Sequence, residues 1–292
     1  MTDKRLLCLG YGYVARRLAK TLTREGWRIA GTARAEEKAT ALDAEGVEPI
    51  EWDADGLGPH AFDGTSTILV SMPPDGDGCP AYAAAEPSLI YYARNFSWIG
   101  YLSSNGVYGD HGGAWVDENS ALNATSPRAR HRAHAEAQWA GRAAALAVPL
   151  VIFRLPGIYG PGRSALDTVR DGRAQRIVKP GQMFSRCHVD DIAAALRASI
   201  ANPGAGALFN IADDEPAPPQ DVIAYACELL GVAPPPLIPI ENANLSEMAR
   251  SFYDDNKRVS NALMKERLQI TLNYPTYRDG LRAIDEEERA AR

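Results

Sequence analysis

Three groups of residues in this 292-residue chain have types and spacing that could do chemistry. The first is Gly10-Tyr11-Gly12-Tyr13-Val14-Ala15, set between the apolar run Leu6–Leu9 and the stretch Tyr13–Arg24, whose apolar residues recur at helical spacing. Gly10 permits a tight turn, Gly12 lets the main chain approach a pyrophosphate, and Ala15 keeps the helix close to its strand. The first amides of that helix then face phosphate oxygens with a favourable dipole. The second is Arg34, which follows Gly31-Thr32-Ala33 where a second strand ends. A site for NAD usually has Asp or Glu there to accept from the ribose 2′-hydroxyl. An arginine suits a 2′-phosphate instead, so the expected cofactor is NADP(H), with NAD the weaker fit. Asp53, after a third strand, is placed to meet an adenine or simply to make a turn. The third group is Ser104 and Tyr108, four residues apart after a fifth strand; either hydroxyl could take part in proton transfer or pack and cap locally.

These groups need a scaffold that alternates strand and helix. Trp27–Ala33, Val47–Trp52, Thr67–Ser71, Trp98–Leu102 and Leu150–Arg154 read as further strands. Helices are expected over Glu36–Ala44, over Ala81–Asn95 with Pro87 inside it, and over Arg128–Leu146. Strands joined in this way make a parallel sheet with right-handed crossovers, a Rossmann-type doubly wound α/β fold. Beyond Gly157 the pattern loosens, leaving only Val189–Ala201 and Gln220–Leu230 as isolated helices. The expected division is a dinucleotide-binding domain over 1–156 and a smaller interleaved substrate part over 157–292, some of which returns to the first.

A net charge of −6 and a pI near 5.5 argue against non-specific nucleic-acid binding. No stretch reaches the roughly 18 apolar residues of a membrane span, and Met1–Arg5 runs directly into a strand without a signal core, so a cytoplasmic protein is expected. Cys8, Cys79, Cys187 and Cys227 lack metal-ligand spacing and read as buried thiols; no metal is expected.

Four segments in order now carry a resemblance. They are Ser103-Ser104-Asn105-Gly106-Val107-Tyr108-Gly109, Phe153-Arg154-Leu155-Pro156-Gly157-Ile158-Tyr159-Gly160-Pro161-Gly162-Arg163, Arg186-Cys187-His188-Val189-Asp190-Asp191-Ile192-Ala193, and Phe209-Asn210-Ile211-Ala212-Asp213-Asp214-Glu215-Pro216. Together they resemble the extended short-chain dehydrogenase/reductase superfamily, which contains nucleotide-sugar epimerases and dehydratases. In detail the chain looks most like atypical NAD(P)-dependent epimerase/dehydratase-like members. The resemblance implies a sheet of about seven parallel strands, with a cofactor across their C-terminal ends. It also implies a small-molecule substrate and dimerisation through the long helix and the one before it. Gly10, Tyr11, Gly12, Tyr13, Val14, Ser71, Met72, Pro73 and Pro156 are the expected cofactor contacts, and Ser104 falls where a hydroxyl orients a substrate carbonyl.

The glycine turn, G-x-G-x-x-A, departs from the usual spacing. More seriously, the Tyr-x-x-x-Lys pair is missing: counting back from Glu136 puts Arg132 at the lysine and Arg128 at the tyrosine position. A guanidinium stays protonated and cannot act as acid or base. Arg132 can still hold the nicotinamide ribose, and Arg128 can clamp an anion. His131 and His134 flank this helix face, and Arg154, Arg163 and Arg186 fall in segments expected to line an anion-binding cleft, unless they are tied up in ion pairs.

Overall fold

The computed structural model describes residues 4–52 and 56–291. Its centre is a seven-stranded parallel sheet of β1 (Arg5–Leu9), β2 (Arg28–Ala33), β3 (Glu48–Glu51), β4 (Thr67–Val70), β5 (Trp98–Ser104), β6 (Leu150–Leu155) and β7 (Leu208–Asn210), in the order β7-β6-β5-β4-β1-β2-β3. The strand order reverses between β1 and β4, the place where a doubly wound sheet opens a crevice at its C-terminal edge.

Each face of the sheet has its own core. Helix α1 (Tyr13–Arg24) turns Val14, Ala15, Leu18, Ala19 and Leu22 inward, the spacing of a helical stripe. With α6 (Val189–Ala201), which contributes Ile192 and Leu196, it covers one face of the sheet. On the other face α3 (Pro80–Tyr92) and α4 (Pro127–Leu146) bury Leu89 and Trp139 against Tyr101 and Ile99. Pro87 lies inside α3 without ending it. Helix α2 (Glu36–Ala44) buries only Leu42 beside the sheet's β3 edge.

The second half is more structured than its sequence pattern suggests. Helices α5 (Ala165–Arg170), α7 (Pro219–Leu230) and α10 (Tyr277–Ala290) share a third core built from Tyr159, Leu166, Val222, Ala226, Tyr277 and Leu281. Short parallel pairs bind this part together: Gly157–Tyr159 with Arg186–His188, and Arg176–Val178 with Leu237–Pro239. Helix α8 (Glu247–Asp254) and the strand Arg258–Val259, paired with Trp115–Val116, lie beyond β5, and α9 (Ala262–Leu268) returns to α6. Helix α6 and β7 likewise go back to the large sheet from within 157–292. All four cysteines are buried free thiols.

Candidate functional site

The glycine turn sits at the C-terminal end of β1, and its two glycines have different duties. Gly10 adopts φ +89°, and a Cβ there would meet the Ser71 Oγ at 3.0 Å and the Met72 amide nitrogen at 3.1 Å. Its conformation and the close approach of β4's end both require glycine. Its N–H donates to Thr32 Oγ1 at 2.8 Å and its carbonyl accepts from Ser71 Oγ at 2.6 Å, so β1, β2 and β4 fix the turn together. Gly12 has ordinary backbone angles, and nothing lies within 4 Å of where its Cβ would be. The space above Gly12 is therefore open.

Gly12 is also the N-cap of α1, and no side chain caps that end; its first turn holds no acid. The leading amides and the positive end of the dipole are left to whatever occupies that space. Val14 turns into the core behind the turn. Tyr11 is buried, its ring closing over Gly31 of β2, and burial raises its hydroxyl to about 12. Tyr13 reaches away from β1, its hydroxyl donating to the Pro161 carbonyl at 3.0 Å. Only the main chain of Tyr11 thus lines the turn, while Tyr13 ties it to the second half.

Arg34 lies at the end of β2, exposed, with its guanidinium 4.6 Å from the ring centre of Trp52 and 3.7 Å from Met72 Sδ. No carboxylate pairs with it among the described residues. Lys38, on α2, brings a second cation to within 3.4 Å of the Tyr11 carbonyl. Trp52 and Lys38 were not singled out by sequence, although a basic residue in the helix turn after β2 is a signal that could have pointed to Lys38. Asp53 lies outside the described residues. Pro73 is exposed beside Met72 at the end of β4, and Pro156 is buried where β6 passes into Gly157–Tyr159.

Ser104 ends β5 half-buried, and its Oγ accepts from the Gly106 N–H at 3.1 Å, capping the turn that follows. Its own proton has no partner among the described residues. Tyr108 is elsewhere: it is fully buried, donates to Asn210 Oδ1 at 2.7 Å and lies under Arg154, whose guanidinium is 4.8 Å from its ring centre. Burial raises its pKa. A phenol so enclosed packs and does not reach a substrate, which corrects the catalytic expectation for Tyr108.

Arg154 takes the ion-pair alternative. It is buried against Glu136, with contacts of 3.1 and 2.7 Å, and Ser103 Oγ donates to the same carboxylate at 2.5 Å. This bidentate pair ties β6 and β5 to α4 and leaves Arg154 unable to line a cleft. Glu136 in turn fixes the rotation of α4. One turn earlier, Arg132 uses Nη1 to donate to the Leu102 carbonyl at 2.9 Å and the Tyr101 hydroxyl at 3.1 Å. Its Nε and Nη2 have no partner among the described residues. Arg128 is exposed, 4.4 Å from the ring centre of Phe252 on α8. His131 is half-buried and His134 exposed.

His188 is a structural junction: it caps α6 by accepting from the Asp190 N–H at 3.2 Å, and burial lowers its pKa to about 4. Asp190 pairs with Arg17, and Asp191 accepts from the amides of Asn273 and Tyr274. Among the described residues no three His, Cys, Asp or Glu side chains converge as a metal site, and no helix is long and apolar enough to cross a membrane. Arg163 and Arg186 both line a cavity of about 540 Å³ between Gly157–Tyr159, α5, α7 and α10.

A reversed strand order, a glycine turn at the first strand end and an uncapped helix start define a doubly wound α/β protein with an anion-receptive crevice. Residues 88–212 match the model of the NAD dependent epimerase/dehydratase family. The chain is similar to a conserved protein of unknown function from Silicibacter pomeroyi, at 48% identity, a TM-score of 0.90 and coverage of 98% of this chain and 99% of that one. It is also similar to Protein YeeZ of Escherichia coli, 26% identical over 89% of this chain and 94% of that protein. The UDP-glucuronic acid 4-epimerase of Bacillus cereus, solved in complex with NAD, shares the fold at a TM-score of 0.75 and 16% identity, over 98% and 99% of the two chains.

Proposed function

We propose that this chain binds NADP(H) and acts as an oxidoreductase or epimerase-like enzyme on a small anionic or sugar-like substrate. The observation that carries the cofactor reading is Arg34, stacked on Trp52, with no carboxylate partner among the described residues, and in contact with Met72, which lies beside Gly10 of the glycine turn. The residues present fit a dinucleotide. The α1 amides and Gly12 would hold its pyrophosphate, Arg34 and Lys38 a 2′-phosphate, and Arg132, through Nε and Nη2, a ribose. Bound there, a nicotinamide dinucleotide supplies hydride transfer. Ser104 would orient a substrate oxygen with the proton it does not use in its own turn, and Arg128 would hold an anionic group.

The second reading is a non-catalytic dinucleotide-binding sensor or scaffold. It is favoured by one specific feature: position 128 carries a guanidinium that cannot exchange a proton, and the nearest phenol in sequence, Tyr108, is sealed in the core. NADPH consumption with a panel of carbonyl compounds and nucleotide sugars separates the two. Turnover that is lost in Ser104→Ala supports the enzyme; binding of NADPH without turnover on any member of the panel supports the sensor. Dimerisation through α3 and α4 is part of the same proposal, since Ile90 and Tyr91 stand exposed on α3.

A further inference from the structure

Arg16, Arg17 and Arg163 stand on or against the first two turns of α1, and the first two are already spent. Arg16 pairs with Glu45 at 2.9 Å, and Arg17 is bound through two nitrogens to the Asp190 carboxylate. Arg163 comes from the second half, and its guanidinium lies 5.8 Å from the ring centre of Tyr13, the first residue of the helix. It is exposed and has neither an ion pair nor a side-chain hydrogen bond among the described residues. Asp167, the next acid along the chain, is turned to the start of α5, where its Oδ2 accepts from the Ser164 N–H at 2.7 Å and the Ser164 hydroxyl at 2.6 Å. A free guanidinium and the positive end of the α1 dipole on the same side repel each other, and an anion between them removes the repulsion.

The place of Arg163 is fixed by main chain. Gly160 and Arg163 close a tight turn, the N–H of Gly160 donating to the Arg163 carbonyl at 3.2 Å and the N–H of Arg163 to the Gly160 carbonyl at 3.0 Å. That turn is seated on Tyr13, whose hydroxyl donates to the Pro161 carbonyl at 3.0 Å. A Cβ on Gly160 would come within 2.5 Å of the same hydroxyl and 2.6 Å of Val189 Cγ1, so glycine at 160 lets the turn close onto α1 and α6 together. One turn further along the same face of α1, Arg17 ties the two helices through Asp190. The base of the Arg163 side chain is thereby held beside the start of α1, while its guanidinium is free to turn toward the open space above Gly12.

We propose that Arg163 is a positioning residue for the dinucleotide pyrophosphate, meeting it from the second half while the α1 amides meet it from the first. A guanidinium presents paired donors to phosphate oxygens, which the amides of one helix end cannot supply from the opposite side. The proposal rests on the reading of the space above Gly12 as the dinucleotide's place, and it makes the second half part of the cofactor site. The pyrophosphate is common to NADP(H) and NAD(H), so Arg163 contributes equally to both, unlike Arg34. The test is calorimetric titration of wild type, Arg163→Gln and Arg163→Lys with NADPH, NADH and ADP-ribose at constant ionic strength. Arg163→Gln should weaken all three by a similar factor, about tenfold or more, and should unfold at the wild-type temperature. Arg163→Lys, which keeps the charge without the paired donors, should recover part of the loss. Affinities in Arg163→Gln that stay within about twofold of wild type for all three overturn the proposal. So does a loss confined to NADPH, which would put the guanidinium at the 2′-phosphate, or a loss that spares ADP-ribose, which would put it at the nicotinamide end. Wild type that binds none of the three sinks the cofactor reading itself; wild type that binds them while Arg163→Gln is unchanged sinks this proposal alone.

Discussion

Replacing Arg34 by alanine isolates the cofactor preference from the fold. The side chain is exposed, its hydrogen-bond contact among the described residues is a thioether at 3.7 Å, and its stacking on Trp52 is that of a surface cation over a ring. Its removal should cost the folded chain no more than about 1 kcal/mol. Toward a 2′-phosphate the same group offers charge-assisted donors, and losing a hydrogen bond to a charged group costs about 1.5–3 kcal/mol. That corresponds to a roughly 10- to 150-fold weaker NADP(H) complex. NAD(H), which lacks the phosphate, should be affected less than about threefold, since only stacking near the adenine would change. Titration of both cofactors by calorimetry, on wild type and Arg34→Ala, gives four affinities. Wild type that binds NAD(H) as tightly as NADP(H), with the variant unchanged toward both, refutes the reasoning; Lys38 would not rescue it, because a second cation could only preserve a preference that wild type must first show.

The remaining predictions follow from the same geometry. Gly12→Val should abolish dinucleotide binding while leaving urea unfolding within about 0.5 kcal/mol of wild type, because its side chain would fill only the open space above the turn. Arg132→Ala should weaken NADP(H) binding and cost about 1 kcal/mol of stability through the lost bond to Leu102; unchanged affinity removes Arg132 from the site. Glu136→Leu leaves Arg154 buried without its partner and should destabilise the chain by about 3–5 kcal/mol in urea unfolding, with a loss below 1 kcal/mol counting against a structural pair. Asp213 keeps its proton up to about 8 when folded, whereas the unfolded chain releases it near about 4, so its contribution to stability is present at low pH and is lost as pH rises between these values. Asp213→Asn should therefore be more stable relative to wild type at about pH 9 than at about pH 4, a contrast that urea unfolding at both pH values checks.

How far the sequence could be read depended on whether the signal was local. Tyr13–Arg24, Glu36–Ala44 and Val189–Ala201 are helices over the same residues in the structure, because each carries its boundary in neighbouring residue types. Val47–Trp52 shortens to Glu48–Glu51, a strand paired on one side only. Leu208–Asn210 is three residues long, too short for any alternation to register, and it is a strand because β6 lies beside it. The helix Tyr277–Ala290 was legible but not read: Thr276 caps it by accepting from the Asp279 N–H, and its charged outer face hides a stripe of Tyr277, Leu281 and Ile284. In the site, Arg34 could be found from its position after a strand. Trp52 could not, because their contact joins the ends of two strands 18 residues apart in sequence. Tyr108 and Arg154 illustrate the converse limit. Residue type made each a candidate for chemistry, and only the closure of β5, β6 and α4 around Glu136 and Asn210 shows both spent on packing.

That packing also positions Arg128 and Arg132, one turn apart on α4. Glu136, Arg154 and Ser103 orient α4, which brings Arg132 to Tyr101 and Leu102 of β5. Arg132 and Arg128 are permanent cations, the first half-engaged with Leu102 and Tyr101, the second lying against Phe252. Permanent cations lower the energy of anions and hold them in place, but they do not relay protons at any working pH. Two guanidiniums on one helix, Arg132 half-buried and Arg128 exposed, fit the proposed site whose work is to bind and orient charge, with Ser104 as the hydroxyl that would meet a substrate oxygen.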